Sequence, residues 1–404
     1  MKQTWRWFGP EDTIAIDLLP QAGVQGVVSA LHGRKPGEVW TVGEIRQRQK
    51  EISVGSRGQA TGLTWDVVES VPVSEAIKTQ SGDVTEHYEA YRQTIRNLAD
   101  CGIITLCYNF MPILDWTRTV LRFPQPHGGT AMLFDLLDFA AFDIFILKRA
   151  NAREDYSDEF VERARERFAH MTDAARAELV GNVIAGLPGA ADSWTIEDVR
   201  AQLSTYDNTS EEKLRGHMAD FLSEVIPTAE DAGVNMCCHP DDPPFGLLGL
   251  PRIMSSVGDY EWLVKAVGSP ANGVTMCTGS LGVRSEFDGA DFVRRLGKHI
   301  HFVHLRNTSR QEPLDGDKCS FHEAEHLDGD TDMVATVQAL LQEEDRRKAE
   351  GRADWKIPMR PDHGQDILDD LTRDSMPGYP LNGRMRGLAE LRGVMTALSY
   401  QAAR

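Results

Sequence analysis

The amino-acid sequence predicts an α/β protein folded as a (β/α)8 TIM barrel, with helical insertions after the third strand and between the seventh and eighth. Three observations lead there. Eight short β-rich runs recur along the chain, amphipathic helical stretches separate them, and no internal repeat or low-complexity linker divides the sequence. Strand–helix alternation favours a parallel sheet, and eight such units close one into a barrel. Residues 1–404 are therefore taken as a single TIM-barrel domain.

In order, the predicted strands are 26–31 (GVVSAL), 64–71 (TWDVVESV), 103–110 (IITLCYNF), 182–187 (NVIAGL), 234–239 (VNMCCH), 274–278 (VTMCT), 301–306 (HFVHLR) and 357–362 (IPMRPD). Each is a short run enriched in strand-forming residues. Apolar periodicity predicts helices over 88–101, 158–170 and 211–232. Two intervals exceed a minimal unit. About seventy residues separate the third and fourth runs, including the apolar-rich segment 133–153, read as a helical insertion. That segment suits a lid, a subunit contact or packing on the barrel's outside. Between the seventh and eighth runs lie about fifty residues: a polar, acidic, histidine-containing loop (311–332) and a charged helix ending near Arg352.

Composition narrows the class. The hydrophobic fraction of 41% permits a large core, and the formal net charge is -18. Such a surface repels nucleic acid and acidic membranes, so neither is an expected partner. A small anionic substrate remains compatible, because a local arginine or metal outweighs the global field. Six cysteines (Cys101, Cys107, Cys237, Cys238, Cys277 and Cys319) fit neither a disulfide framework nor a paired zinc motif, which suggests a reducing compartment. Residues 1–13 lack the apolar core of a signal peptide, and no run approaches a membrane span. A cytoplasmic location is expected.

In a parallel barrel the active site lies where the C-terminal strand ends meet the following loops. Four metal-ligating residue types fall there from four successive strands: His239 in CCHPDDPP, Cys277 in TMCTGSLG, His304 in FVHLRN and Asp362 in RPDHG. Singly, each has an ordinary explanation. A strand histidine is more often a satisfied core residue, a strand cysteine a small hydrophobe, and a terminal aspartate a turn residue. Their coincidence at one height of a barrel is what points to a divalent transition metal, which imidazole, thiolate and carboxylate hold together. Residues two apart share a strand face, so Cys237 is expected inward with His239, one layer deeper as core filling, and Cys238 outward. Arg306 and Arg360 share the faces of His304 and Asp362. A guanidinium fork there suits an anionic substrate group, or equally a salt bridge that closes a loop.

Longer motifs carry a resemblance. RWFGPED, GVVSALHGRKPGEVW, WDVVESVPVSEAIK, YRQTIRNLADCGI, CYNFMPILDWTRT, DFAAFDIFILKR, CCHPDDPPFGLLGLPRI, MCTGSLG, FVHLRN, MRPDHG and GYPLNGRMRGLAELRG follow one another from about Thr4 to the last helix. In these motifs the sequence resembles the D-mannonate dehydratase family of hexuronate breakdown. The resemblance implies a TIM barrel that converts D-mannonate to 2-keto-3-deoxy-D-gluconate and water, with Mn2+ or Fe2+ as cofactor. Carried over motif by motif, its metal ligands fall on His239, Cys277, His304 and Asp362, the four residues already selected. Its acid/base groups fall on His363 and Tyr379. Family-like motifs also hold Trp5, Arg6, Asn109, Asp115, Arg118, Arg306 and Arg384; of these, Trp5, Asn109, Arg306 and Arg384 are taken as substrate contacts, with structural anchoring the competing role. Asp241 and Asp242 are candidates to orient His239. Two departures stand out: CCH replaces a more aliphatic approach to the histidine, and the second insertion is long.

Dehydration needs a proton removed beside a carboxylate, the resulting charge held, and a neighbouring hydroxyl lost as water. The expected division gives Tyr379 the C2 proton and His363 the departing C3 hydroxyl, with the reverse left open. Rival readings are a metal-dependent sugar or sugar-acid isomerase, a metal phosphodiesterase disfavoured by the charge, and a non-catalytic sugar-acid-binding relative. A symmetric homo-oligomer is expected.

Overall fold

Twelve strands set the architecture of the computed structural model, which describes residues 1–113, 116–184 and 195–402. In chain order they are β1 (Lys2–Arg6), β2 (Gly26–Ser29), β3 (Trp65–Glu69), β4 (Thr105–Tyr108), β5 (Val120–Pro124), β6 (Thr130–Phe134), β7 (Asn235–Cys238), β8 (Asn272–Cys277), β9 (Ile300–His304), β10 (Thr308–Asp315), β11 (Lys318–Glu323) and β12 (Pro358–Arg360). Eight of them pair in parallel and close in the order β1-β12-β9-β8-β7-β4-β3-β2. This is the predicted (β/α)8 barrel.

The strand register corrects the sequence reading in two places. The first barrel strand is β1, which sequence analysis did not count; it pairs with both β12 and β2 and so closes the cylinder. The run predicted as a strand at 182–187 is not one in its described part, since the helix Asp173–Ile184 includes its first three residues. Residues 185–187 lie outside the described residues. The first insertion therefore follows the fourth barrel strand, β4, rather than the third.

The first insertion is helical as expected, with helices at Leu136–Ala141, Phe142–Leu147, Asp158–His170 and Asp173–Ile184, but both insertions also carry strands. β5 and β6 arise from the first, and β10 and β11 from the second; together they form an antiparallel sheet in the order β10-β11-β6-β5. The acidic loop predicted at 311–332 is thus largely a hairpin, followed by the helix Met333–Ala349. Phe321 of β11 stacks on Phe134 of β6 with centroids 5.5 Å apart, joining the two insertions through a shared apolar face.

Helix boundaries follow the local chemistry. The helix Val42–Ser53 starts at a reciprocal capping box between Thr41 and Glu44. The helix Glu211–Ala232 is capped by Ser210 and ends at Gly233, whose φ of 69° suits a residue without Cβ. Strand alternation sorts the core. Val28, Val67, Cys107, Cys237 and Phe302 form a separate cluster inside the barrel. Val27, Val68, Leu106, Met236, Cys238 and Val303 join the larger core under the helices. Cys237 inward and Cys238 outward is the parity expected from sequence. The five-residue cluster makes an apolar, fully buried floor beneath the barrel mouth.

Candidate active site

β7, β8, β9 and β12 are neighbours; pairing levels the ends of β8, β9 and β12, while Cys238 at the end of β7 lies opposite Val274. Cys277 lies opposite His304, and His304 opposite Arg360. Phe302, two residues before His304 on the same face, sets its ring edge-on 4.7 Å away and supports the imidazole from below. One residue past β7, the His239 N–H still donates to the Tyr108 carbonyl at 2.9 Å, which extends the inward face to His239. Cys277 ends β8, and its sulfur accepts from Ser280 N at 3.5 Å and Ser280 Oγ at 3.2 Å. Asp362 follows β12 at φ 60°, in the left-handed region that short polar side chains tolerate best among residues with a Cβ.

These positions bring the predicted donors together. Ligand atoms of His239, Cys277 and His304 all lie within 4.8 Å of one another. His239 Nε2 is 3.1 Å from His304 Nδ1. His239 Nδ1 is turned to the Pro240 carbonyl at 2.7 Å, which leaves Nε2 for the cluster. Asp362 Oδ2 lies 3.8 Å from both Cys277 Sγ and His304 Nδ1. Two imidazoles, a thiol and a carboxylate converging on one point form a donor set that fits a divalent transition metal.

Around the cluster runs a buried chain of alternating charges. Arg6 pairs with Glu69 at 3.2 Å, Glu69 with Arg360 at 2.9 Å, and Arg360 with Asp362. Asp362 then meets Arg306 at 3.2 Å, and Arg306 reaches Asp242 and Glu323, each at 2.8 Å. Arg118 closes a ring by pairing with Asp242 at 2.9 Å and Glu323 at 2.8 Å. Burial opposes ionisation of every carboxylate here, but the guanidiniums prevail. Asp362 and Glu69 are held well below the usual range, and Glu323 is held at about 2. Burial likewise works against charge on Arg306 and Arg360, yet their carboxylates raise both well above the ordinary arginine value.

His363, next to Asp362, donates from Nδ1 to Glu323 Oε1 at 3.2 Å. Its ring meets Tyr379 edge-on with centroids 5.0 Å apart, and Trp116 at 5.9 Å. Tyr379 is buried and also packs edge-on against Phe8 at 5.0 Å. Burial pushes the Tyr379 phenol up to about 12, the nearby Arg360 and Arg6 only partly offsetting it.

Other predicted contacts have definite structural duties. Arg306 is engaged by three carboxylates through Nε and Nη1, which leaves its Nη2 without a partner among the described residues. Arg384 donates to the carbonyls of Pro380, Arg6 and Tyr379 at 2.9, 2.9 and 3.0 Å, with its guanidinium 3.9 Å over the Trp5 ring. Asn109 directly follows β4 at the mouth and is half-buried. Asp115 lies outside the described residues. Neither aspartate of HPDDPP orients His239: Asp241 accepts from Met254 N and Ser255 Oγ, and Asp242 belongs to the arginine ring. Sequence reasoning missed Glu323, and missed Glu69 as the anion between Arg6 and Arg360. The alternation of Phe321 and Glu323 along KCSFHE was the available signal for the former.

Three buried polar atoms near this mouth have no hydrogen-bond partner among the described residues, Trp5 Nε1, Trp116 Nε1 and Arg306 Nη2, whereas His304 Nε2 lies 3.4 Å from Glu69 Oε1. Unpaired buried donors are rare and costly, and a polar ligand or water at these positions would satisfy them.

Comparison with known proteins agrees with this chemistry. A family model described as D-mannonate dehydratase (UxuA) matches residues 1–404. The mannonate dehydratase of Rhizobium meliloti (strain 1021) is 55% identical over 400 residues, covering 99% of this chain and 98% of that protein. That of Chromohalobacter salexigens is 48% identical over 402 residues, covering 100% of both. The crystal structure of mannonate dehydratase from Streptococcus suis serotype2 superposes with a TM-score of 0.75 at 30% identity, covering 100% of this chain and 96% of that one. With a closed barrel, a His–Cys–His cluster at its mouth and these relatives, the chain belongs to the D-mannonate dehydratase family.

Proposed function

We propose that this protein eliminates water from D-mannonate to give 2-keto-3-deoxy-D-gluconate, using one Mn2+ or Fe2+ held by His239, Cys277, His304 and Asp362. The observation that carries the reading is the convergence of these four donors beside the paired rings of His363 and Tyr379. When bound, the metal supplies Lewis-acid stabilisation of the charge that develops next to the substrate carboxylate. The surrounding chain of four arginines and four carboxylates is balanced in itself. A divalent ion against one thiolate leaves a single positive charge, which matches a monoanionic sugar acid.

The residues divide the proton chemistry as follows. The C2–H bond breaks and its proton passes to His363. The electron pair is first held on the substrate beside its carboxylate, and then forms the C2–C3 double bond as the C3–O bond breaks. Tyr379 gives its phenolic proton to the departing hydroxyl, releasing water, and the enol then ketonises. This reverses the division expected from sequence. The reason is burial: a phenol raised to about 12 is a proton donor at neutral pH. A histidine whose ring contacts a fixed carboxylate suits the base, because that carboxylate stabilises the imidazolium it becomes. Trp116, whose indole N–H no described residue accepts, is proposed to contact a substrate hydroxyl, together with Trp5 in β1 and Asn109 directly after β4. Arg306 and Arg384 fix the walls of the site.

A carboxylate-bridged two-metal isomerase fits less well, since Glu69, Asp242 and Glu323 are each bound by arginines. No described helix is long and apolar enough to cross a membrane. A symmetric homo-oligomer in the cytoplasm is the setting we propose, in keeping with six free cysteines. The test is metal-free protein reloaded with Mn2+, Fe2+ or Zn2+ and offered a panel of hexonates. Formation of the 2-keto-3-deoxy product from D-mannonate with Mn2+ or Fe2+ supports the reading. Failure with every metal, or a simple epimer or isomer as product, overturns it.

A further inference from the structure

We infer that Glu323 is a positioning residue for His363: its carboxylate takes the Nδ1 edge of the ring and turns the opposite nitrogen, Nε2, toward the metal-donor cluster. The inference rests on the proposed dehydration, in which His363 moves the C2 proton.

The geometry is specific. Glu323 Oε1 lies 3.2 Å from His363 Nδ1, while His363 Nε2 lies 3.9 Å from Asp362 Oδ1, on the carboxylate whose other oxygen is 3.8 Å from Cys277 and His304. A carboxylate accepts hydrogen bonds, so Nδ1 carries the hydrogen and Nε2 is left to receive a proton. Without such a partner the ring has a second tautomer, in which Nε2 carries the hydrogen and cannot act as a base. Trp116 and Tyr379, packed on the ring, restrict its tilt but cannot choose between tautomers.

Glu323 is itself held on every side. Arg118 Nη2 bonds Oε1 at 2.8 Å, and Arg306 Nε bonds Oε2 at 2.8 Å. Gln365 donates to its backbone carbonyl at 3.0 Å. These contacts come from three separate parts of the chain. They fix the carboxylate as an anion that cannot rotate away from His363. β11 delivers Glu323, so the second insertion reaches into the barrel mouth with one functional side chain at its end.

The competing explanation is that Glu323 only balances Arg118 and Arg306. A double-mutant cycle separates the two. Glu323→Gln, His363→Asn and the double variant are compared at equal metal content, measured by atomic absorption, below each variant's unfolding midpoint. Expected for Glu323→Gln is a kcat loss on the order of 10²-fold with KM changed less than about threefold. Expected for the double variant is a rate within about threefold of His363→Asn alone, because a residue acting through His363 has nothing left to act on. Losses that multiply in the double variant overturn the assignment, as does a Glu323→Gln enzyme within about threefold of wild type. So does metal loss in proportion to activity. Should Glu323→Gln not fold, Glu323→Asp carries the same cycle. It keeps the charge between Arg118 and Arg306 while withdrawing the carboxylate by about 1.5 Å. His363→Asn at wild-type rate would defeat the underlying reading of His363 itself. An impaired His363→Asn with a multiplicative cycle defeats the Glu323 assignment alone.

Discussion

Removing one oxygen from Tyr379 tests how the proton work is divided. In Tyr379→Phe the ring contacts with Phe8, His363 and Arg384 survive, and no hydrogen bond of the phenol to a described residue is lost. Folding stability should therefore change by less than about 1 kcal/mol. The chemistry should not survive so well. With the phenol at about 12, ionising Tyr379 at pH 7.5 costs about 6 kcal/mol. That burden falls on any mechanism using it as a base, and none of it on one using it as a donor. The expected result is a kcat for water loss reduced by roughly 10²–10⁴-fold. Exchange of the C2 hydrogen with D2O should persist, read by proton NMR of recovered D-mannonate. In the wild-type enzyme kcat/KM should not climb tenfold per pH unit between pH 7 and 10. Two results would refute the reasoning: abolished C2 exchange in Tyr379→Phe with His363 intact, or that tenfold climb in wild type.

Three further outcomes follow from contacts already described. Arg384→Met should destabilise the protein by at least about 3 kcal/mol in urea unfolding, because three buried carbonyls lose their donor; an effect on KM with unchanged stability would instead make Arg384 a substrate contact. Cys277→Ser should bind Co2+ with loss of the near-ultraviolet thiolate-to-metal absorption, and an unchanged spectrum would remove the sulfur from the ligand set. Glu323 predicts acid sensitivity of a definite sign. Its folded value of about 2 lies below the ordinary 4.5, so its contribution is complete above about pH 4.5 and disappears as pH falls toward 2. The stability gap between wild type and Glu323→Gln should thus shrink by roughly 3 kcal/mol between pH 5 and 2. A gap independent of pH would contradict a carboxylate held by Arg306 and Arg118.

What the sequence disclosed and what it hid have physical causes. The four donors were legible because parallel strands repeat a simple rule: the active side chains stand at C-terminal ends, and alternate residues face inward. His304 with Phe302, and His239 with Cys237, obey it directly. β1 was missed because KQTWR lacks the aliphatic, β-branched run that marks a buried strand; what makes it one is pairing with β12, more than 350 residues away. NVIAGL misled for the opposite reason, since a short apolar run reads alike in a strand and in a buried helix. Glu323 was hidden because its meaning lies in partners: Arg118 is 205 residues distant, and β11, which bears it, follows the polar, partly exposed β10. Charge pairing across such separations leaves no local pattern.

The arginine–carboxylate chain explains why the insertions and the barrel chemistry cannot be treated apart. Burying a carboxylate alone costs several kcal/mol, and its ion pair repays that only when remaining oxygens are also bonded. Here Asp242 comes from the loop after β7, Arg306 from the residues after β9, Arg118 from the first insertion and Glu323 from the second. Each is satisfied only when all four segments are docked. The sheet β10-β11-β6-β5 therefore does more than decorate the barrel: its seating completes the charges that surround Asp362 and His363. Groups so fixed need little reorganisation when charge develops on a substrate, which is where preorganised polar sites gain most of their rate. The same closure means that loosening the insertion sheet, without touching a single donor, should disturb the mouth of the barrel first and its floor of Val28, Val67, Cys107, Cys237 and Phe302 last.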